Sequence, residues 1–408
     1  MPWAEIKKMD QRVEFAIKSL QCSNFQELCK SYGISRKTGY KWRNRFFEQG
    51  MAGIEEKSRR PHGHGDELTE SEVCEIVSLK QAHPNWGPRK IRIIYARKRG
   101  INVTDEGLAL EGASVDRVPS ESSFKRVFER AGMTEKRRRK GSTEGGRLTT
   151  GRKAQRPNEV WTVDFKGWWL GPDSTRVDPL TVRDESSRML LELRAVENGK
   201  TCTIKAIFER LFEAYGIPDA MRSDNGPPFA SRNGLLGLSK LSVWWLVLGI
   251  DLERSRPGCP QDNGAHERMH LDVRRELQAG RIGRDQHAFD LWRNEFNRIR
   301  PHEALGMRCP ADVWIPSERP YCGTPEALDY GDMEARKVSK SGDIKHYRTR
   351  IFLSSALAGW EVGLSPCQDS NLTEVRFVNL LLGHIDPATA SFSPASAGLK
   401  LAESSEMV

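Results

Sequence analysis

The sequence has no Cys-x-x-Cys pair. Its eight cysteines are scattered through 408 residues, so neither a zinc ribbon nor a disulfide framework is suggested. They read as buried or incidental thiols of a reducing compartment. Long apolar runs are missing too. The longest, Val243 to Ile250, is far too short to cross a bilayer and reads as a buried helix. Residues 1–10 are charged and have no apolar centre, unlike a secretory signal. There is no internal repeat. No strong charge imbalance exists either: 64 Lys and Arg stand against 55 Asp and Glu, a net of +9. The expectation is a soluble cytoplasmic protein of two to four domains with no membrane partner. The small basic excess is unevenly placed and suits a nucleic-acid partner.

What the chain does have is three carboxylates in three settings that suit one metal site. Asp164 lies in an alternating β-rich run, Glu159 to Lys166, that reads as a strand. Asp224 lies where a short strand should end, since Asn225-Gly226 and Pro227-Pro228 break regular structure. Glu267 lies where the turn from Pro260 to Gly264 should open into a helix. Acids at a strand middle, a strand end and a helix start can converge at one sheet edge. Phosphoryl transfer on a polyanion needs such a set: two divalent cations ~4 Å apart activate the attacking oxygen and stabilise the leaving one. Magnesium takes hard oxygen ligands and keeps several waters, so a few carboxylates suffice.

The text around these acids resembles the catalytic core of insertion-sequence DDE transposases, relatives of retroviral integrases. The matching segments are Trp161 to Lys166, Asp178 to Asp184, Ser223 to Phe229, Pro257 to Arg268 and Asn297 to Leu305, about 150 residues in the right order. The resemblance implies a ribonuclease H-like fold, with Asp164, Asp224 and Glu267 as catalytic metal ligands for two Mg²⁺ ions, for which Mn²⁺ can substitute. Asp224 and Glu267 are 43 positions apart, longer than the step common in integrases. The excess falls in Arg232 to Leu241, which reads as an inserted loop.

Ahead of this core, residues 8–50 read as a helix-turn-helix DNA-binding domain. Val13, Ile17 and Leu20 recur at helical spacing. Ser23 to Gln26 has the form of a capping box. Gly33 ends that helix and Ser35 caps the next, with Leu28, Ile34, Trp42 and Phe46 as the core. Arg36, Lys37, Thr38, Lys41 and Arg45 would face the major groove. Residues 51–67 form a polar linker, whose His62 and His64 read as solvated loop residues. Residues 68–133 form a second helical domain, helix-turn-helix-like by resemblance. It has a capping box at Thr69 to Glu72, a basic helix from Arg89, a loop over 102–117 and a helix started by Pro119-Ser120. Arg89, Lys90 and Lys125 are its candidate DNA contacts. Residues 134–157 are a basic linker in which Arg138 would attract phosphate.

The core, 158–316, reads as β-β-β-α-β-α-β-α, an α/β mixed sheet. Its expected strands hold Asp164, Asp178 to Asp184, Arg188 to Val196, Asp224 and Ile250 to Arg254, and its expected helices are Thr201 to Tyr215, Leu241 to Gly249 and Ala265 to Gln278. Asp178, Asp184 and Glu185 would serve strand ends and turns. Glu267, His270 and Arg274 would share one helix face, with His266, Arg268, His270 and Arg274 as possible DNA contacts. Residues 330–386 read as a small β-barrel and 391–408 as a disordered tail. The whole is a multidomain chain: all-α helix-turn-helix units, a ribonuclease H-like core and a C-terminal barrel.

These readings imply a DNA transposase that binds double-stranded element ends and cleaves and joins strands as a homodimer or higher oligomer, in a bacterial-type, nucleoid-associated setting. Two rival readings use the same residues. One is a metal-dependent nuclease that cuts without joining; the other is a DNA-binding regulator with an inactive core.

Overall fold

The computed structural model describes residues 8–55, 68–101, 118–134, 152–256, 263–346, 349–367 and 371–395. The chain divides into two compact units, residues 1–69 and 70–408.

The first unit holds α1 (Lys8–Gln21), α2 (Phe25–Ser31) and α3 (Arg36–Gln49). Its core is Phe15, Ala16, Cys29, Trp42 and Ile54, with Leu28, Ile34 and Phe46 half-buried around it. The helical period expected for α1 is present, but the buried face is turned from the expected one. Phe15 and Ala16 go inward, while Ile17 and Leu20 are about half exposed. The larger Phe15 ring wins the interior by packing edge-on against Phe25 and Tyr32. The cap of α2 also differs from the expected Ser23: Asn24 accepts the Glu27 N–H at 3.2 Å, and its amide reaches the Glu27 carboxylate. Ser35 caps α3 as expected, accepting from Thr38 N–H. Gly39 is needed where α3 crosses its neighbours, since a Cβ there would sit 2.5 Å from the Cys29 sulfur.

The second unit opens with α4 (Glu70–Ala82), α5 (Pro88–Lys98) and α6 (Glu121–Arg130). Ser120 caps α6, and Phe124, Val127 and Phe128 are buried. Next come β1 (Val160–Phe165), the short hairpin β2 (Trp169–Leu170) and β3 (Arg176–Val177), β4 (Pro179–Asp184), β5 (Leu190–Ala195), α7 (Thr201–Tyr215), β6 (Ala220–Ser223), α8 (Lys240–Val247), β7 (Asp251–Arg254), α9 (Gly264–Val273), α10 (Gln286–Arg298) and α11 (Pro310–Val313). The expected order lacked the β2–β3 hairpin, whose strands are two residues long each, and also the helices α10 and α11. The last turn of α9 widens into a π-helical turn, Arg274–Gln278.

The main sheet runs β5-β4-β1-β6-β7. β1, β4 and β5 are antiparallel neighbours, whereas β6 and β7 run parallel to β1. Both faces are covered, which is why these strands read as nearly continuous apolar runs. On one face Trp161, Val163, Leu180 and Val182 pack against α7 and α8 through Ile204, Phe208, Phe212, Trp244 and Trp245. On the other, Leu190 and Leu193 meet Met269, Val273 and Leu277 of α9 and Phe289, Trp292 and Phe296 of α10.

The C-terminal part is an open antiparallel sheet, β14-β13-β12-β11-β8, with a separate β9–β10 hairpin. Its strands are β8 (Glu334–Lys337), β9 (Asp343–His346), β10 (Thr349–Phe352), β11 (Glu361–Pro366), β12 (Thr373–Phe377), β13 (Leu380–Asp386) and β14 (Ser391–Pro394). The hairpin lies beside β8 and β14, but hydrogen-bonded pairing does not run round a closed barrel among the described residues. The tail expected from residue 391 onward is corrected at its start. Residues 391–394 pair with β13, and Phe392 packs on the core. The remaining tail, 396–408, lies outside the described residues, as do 56–67 of the expected 51–67 linker, the 102–117 loop and the basic run containing Arg138; the start of that linker is instead folded into the first unit, where Ile54 is buried.

Asn297 closes the fold at β5. Its amide accepts from Leu190 N–H at 2.9 Å and donates to Leu190 C=O at 2.8 Å, replacing a neighbouring strand. Asn297→Ala leaves both buried groups unpaired, at about 1–3 kcal/mol each. Urea denaturation is expected to show a loss on the order of 2–4 kcal/mol; an unchanged midpoint would remove the amide from this role.

Candidate active site

Alternation along β1 decides where Asp164 points. Trp161 and Val163 enter the α7–α8 face, so Thr162 and Asp164 turn to the side of α9. Asp164 pairs in register with Thr181 of β4. On α9, His266 is fully buried and reaches both strands. Its Nδ1 lies 2.8 Å from Thr162 Oγ1 and its Nε2 lies 2.6 Å from Thr181 Oγ1. The next residue, Glu267, turns outward and is exposed. His266 thus lays the first turn of α9 across β1, and Glu267 arrives beside Asp164.

Asp224 follows β6, the parallel neighbour of β1. Its Oδ1 accepts the Gly226 N–H at 3.2 Å. A Cβ on residue 226 would stand 2.9 Å from Asp224 Oδ2, so a side chain there would shift that carboxylate. Arg254, at the end of β7, latches the segment. Its guanidinium donates to Ser223 Oγ and, at 2.8 Å, to Phe229 C=O. Burial lowers the Arg254 pKa to about 10, against the opposing pull of the Asp224 charge.

The three acids feel one another. Burial pushes the Asp164 carboxyl up to about 7, and the charges of Asp224, Glu267 and Asp178 push the same way; a backbone hydrogen bond to Phe165 opposes them. Among the described residues, they do not close into a cluster with one oxygen of each within 4.8 Å of the others. The donor set is all hard carboxylate oxygen at a place where negative charge is already unfavourable, which fits Mg²⁺ or Mn²⁺. Asp164, Asp224 and Glu267 would be the groups that hold it.

His270 sits one turn after His266. Its Nε2 is 2.8 Å from Thr181 Oγ1 and its Nδ1 is 3.9 Å from Asp164 Oδ2. Burial, then the Lys166 and Arg183 charges, hold His270 neutral, with its pKa near 3; burial does the same to His266. Thr181 Oγ1 donates to Asp164 C=O at 2.9 Å and Thr162 Oγ1 donates to Arg183 C=O at 3.2 Å, and the two histidine rings close the network on these hydroxyls. The expected DNA contacts at His266 and His270 are therefore corrected. Their rings face inward, because two adjacent strand threonines offer buried polar partners that only α9 can reach. Arg274 does remain exposed, and its charge acts on Lys166.

The other expected contacts divide by environment. Arg36, Lys37 and Lys41 are exposed on α3. Thr38 is half-buried in the Ser35 cap, and Arg45 lies 5.4 Å over Trp42. Arg89 and Lys125 are exposed. Lys90 is half-buried in a cleft of about 920 Å³ lined also by Arg89, Arg268 and Arg300. Burial and then Arg300 lower its pKa. Asp184 and Glu185 hold structural partners, as expected. Asp184 accepts from Asn158 and Ser187 N–H, and Glu185 pairs with Arg222 at 2.7 Å. Two residues near the acids were missed, Lys166 and Arg254. Lys166 follows Asp164 by two positions, and Arg254 ends a strand beside the Asp224 strand; those positions were the available signal.

A sheet of this order with acids gathered at one edge defines an integrase-type core. Integrase core domain families match residues 154–260 and 248–310, and a homeodomain-like domain family matches residues 38–108. An uncharacterized 31.7 kDa protein of insertion element IS407 from Burkholderia multivorans is 25% identical over 265 residues, covering 60% of this chain and 90% of that protein. An uncharacterized 39.2 kDa protein of insertion element IS476 from Xanthomonas euvesicatoria is 25% identical, covering 64% and 69%. The HTLV-2 integrase catalytic core domain, in a structure with magnesium, is 15% identical, covering 39% of this chain and 97% of that one, with a TM-score of 0.31. The integrase core matches and the insertion-element relatives together support an insertion-sequence transposase with an integrase-like core. No helix among the described residues is long and apolar enough to cross a membrane.

The raised Asp164 pKa has a signed consequence. The metal-free fold favours the protonated acid, so this group's stabilising contribution is full below the ordinary carboxylate pKa near 4 and is lost as pH rises through about 7. Asp164→Asn keeps a neutral group at every pH. With a chelator present, its thermal midpoint should exceed that of the unsubstituted protein by a margin that widens from about pH 4 to about pH 8. Parallel pH curves would show that the Asp164 pKa is not raised in the fold.

Proposed function

We propose that this protein is a DDE-type DNA transposase: it binds double-stranded element ends, hydrolyses a phosphodiester there, and joins the freed 3′-hydroxyl to target DNA. The observation that carries this reading is the approach of Asp164, Asp224 and Glu267 at one sheet edge, where burial and then the charges of the other two acids raise the Asp164 pKa. The three carboxylates would hold two Mg²⁺ ions, for which Mn²⁺ can substitute; bound there, such ions would supply activation of the attacking oxygen and stabilisation of the leaving one.

In the first displacement a water oxygen bonds to phosphorus as the bond to the 3′-oxygen breaks. In the second, the 3′-hydroxyl oxygen bonds to a target phosphorus and the target's own 3′-oxygen leaves. Neither step needs a covalent bond to the protein. Asp224 and Glu267 are exposed, so a duplex backbone can reach them. Thr181, His266 and His270 fix the Asp164 strand and α9 without adding charge. Lys166 and Arg274 supply positive charge beside the acids for the phosphate backbone. Arg36, Lys37 and Lys41 meet the ends through the major groove, and Arg89 and Lys125 add phosphate contacts. Two ends must be handled together, which calls for a homodimer or a higher assembly. The insertion-element relatives support this setting, with the protein acting in the cytoplasm on nucleoid DNA.

The test is incubation of the purified chain with an element-end duplex and a target plasmid, with and without Mg²⁺. Joined products should depend on the metal and fall at least about a thousandfold in Asp164→Asn and in Glu267→Gln, an order of magnitude typical for removal of a group central to catalysis. End binding by both variants should stay within a few fold. Cutting without joining would favour a nuclease, and metal-independent binding without cutting would favour a regulator.

A further inference from the structure

The C-terminal sheet brings a thiol, an imidazole and a carboxylate together far along the chain from the three acids. Cys367 follows β11 directly, Glu374 lies in β12 and His384 in β13. Glu374 pairs in register with Ser365 on one side and with His384 on the other. Cys367 is two residues beyond Ser365, and its N–H continues the ladder by donating to Leu372 C=O at 2.9 Å. By alternation these residues share one face. The opposite face, with Leu364, Val375 and Ile385, is buried in the core. One ligand atom from each of Cys367, Glu374 and His384 lies within 4.8 Å of the others, and all three side chains are half-buried. Among the described residues it is the one such cluster.

We infer that Cys367, Glu374 and His384 form a binding site for Zn²⁺ or a similar borderline divalent cation. The donor types decide the metal. A thiolate is soft, so the site disfavours Mg²⁺; thiolate with imidazole and one carboxylate oxygen is a set that zinc takes. The thiolate and the carboxylate cancel the ion's two positive charges. Three protein ligands leave a fourth tetrahedral position for water. Glu374 is already oriented: its Oε2 accepts from Arg376 Nε at 3.0 Å, which leaves Oε1 for the ion. An exposed acidic patch would offer neither the sulfur nor the ring nitrogen. The bound ion would fasten the end of β11 to β12 and β13 across three strands. The site is distinct in ligand chemistry from the carboxylates of the core, so one chain selects two classes of metal.

The test uses the full chain, reduced and freed of metal, titrated with Co²⁺ as a spectroscopic substitute for zinc. A thiolate-to-cobalt charge-transfer absorption should develop with about one ion per chain. Zinc should abolish it and a large excess of Mg²⁺ should leave it. Cys367→Ser should lose the absorption, and His384→Gln should weaken cobalt binding by about tenfold or more. Asp164→Asn should change neither. A second readout needs no variant: zinc should slow alkylation of Cys367, read by peptide mass spectrometry, by about tenfold or more. The proposal is overturned if the unsubstituted chain gives no charge-transfer absorption, if the absorption survives Cys367→Ser, or if zinc leaves Cys367 alkylation unchanged.

Discussion

The contact on which this site depends most is that of His266 with Thr162 and Thr181. An α-helix laid on a sheet through apolar residues alone can slide or rotate by a fraction of a turn at small cost, because Met269, Val273 and Leu277 need only somewhere dry to go. A fully buried imidazole with a partner at each nitrogen has far less freedom, since losing either leaves a polar atom without water or protein. The threonines are on adjacent strands, so the ring fixes the helix along the strands and across them. Glu267 inherits that position by being the next residue. Neutrality matters as well. A charged imidazole here would be unpaired and buried, and burial pulls its pKa far down.

Charge is handled differently away from the acids. Arg222 is almost wholly buried, and its burial is offset by two carboxylates: Glu253 at 2.7 Å and Glu185 at 2.7 Å, with Arg152 C=O as a further acceptor. Arg300 is just as buried, between Asp272 at 3.1 Å and Glu276, with Trp86, Trp292 and Phe296 around it. Such pairs contribute little net stability over apolar residues of equal volume, but removing one partner is costly. Their value is in register. The first ties the segment entering the core to β6 and β7, the strands that carry Asp224 and Arg254. The second ties α9 to the turn before α5, and Arg97 adds to it by donating to Met307 C=O at 3.2 Å. The helical segment α4–α6 and the core are therefore held by paired charges and aromatic rings, not by a plain apolar seam.

Most of the core was legible in the sequence for a simple reason. Its strands are covered on both faces and its helices on one, so the apolar periods are strong. Thr201 to Tyr215 coincides with α7, and the strand around Asp164 is β1. The order of the elements then leaves few ways to build the sheet. What stayed hidden was α10, although Phe289, Trp292 and Phe296 keep helical spacing, and information with no period. The β2–β3 hairpin is too short to alternate. On α1, Phe15 with Ala16 and Ile17 with Leu20 are both helical stripes, and only the rings of α2 decide between them. The acids were legible because each lies in its own recognisable turn or strand. The direction of His266 and His270 was not, because a histidine beside an acid reads equally well as a phosphate contact. The choice is made by Thr162 and Thr181, about a hundred residues earlier in the chain. Arg254 was missed for the same reason, since its partners Ser223 and Phe229 belong to another loop.

The two clusters of ligating side chains would keep two classes of metal apart by donor type. Selectivity by affinity alone fails, since zinc outbinds magnesium at nearly any protein site. Geometry and donor type must do it. At the core, the carboxylates come from separate elements and stay apart, two of them exposed, which suits ions that retain water and bridge to substrate phosphate. At the C-terminal sheet, the strand register fixes the spacing of Cys367, Glu374 and His384 before any ion arrives. A small, soft-tolerant ion is preferred there because the sulfur gives nothing to a hard one. Burying such a cluster without an ion offers no evident gain in packing, since its face of the sheet lies opposite the apolar core. The same face could have been filled by threonine and valine at less chemical risk. A thiol brought beside a carboxylate and an imidazole is therefore better accounted for by a ligand than by the fold.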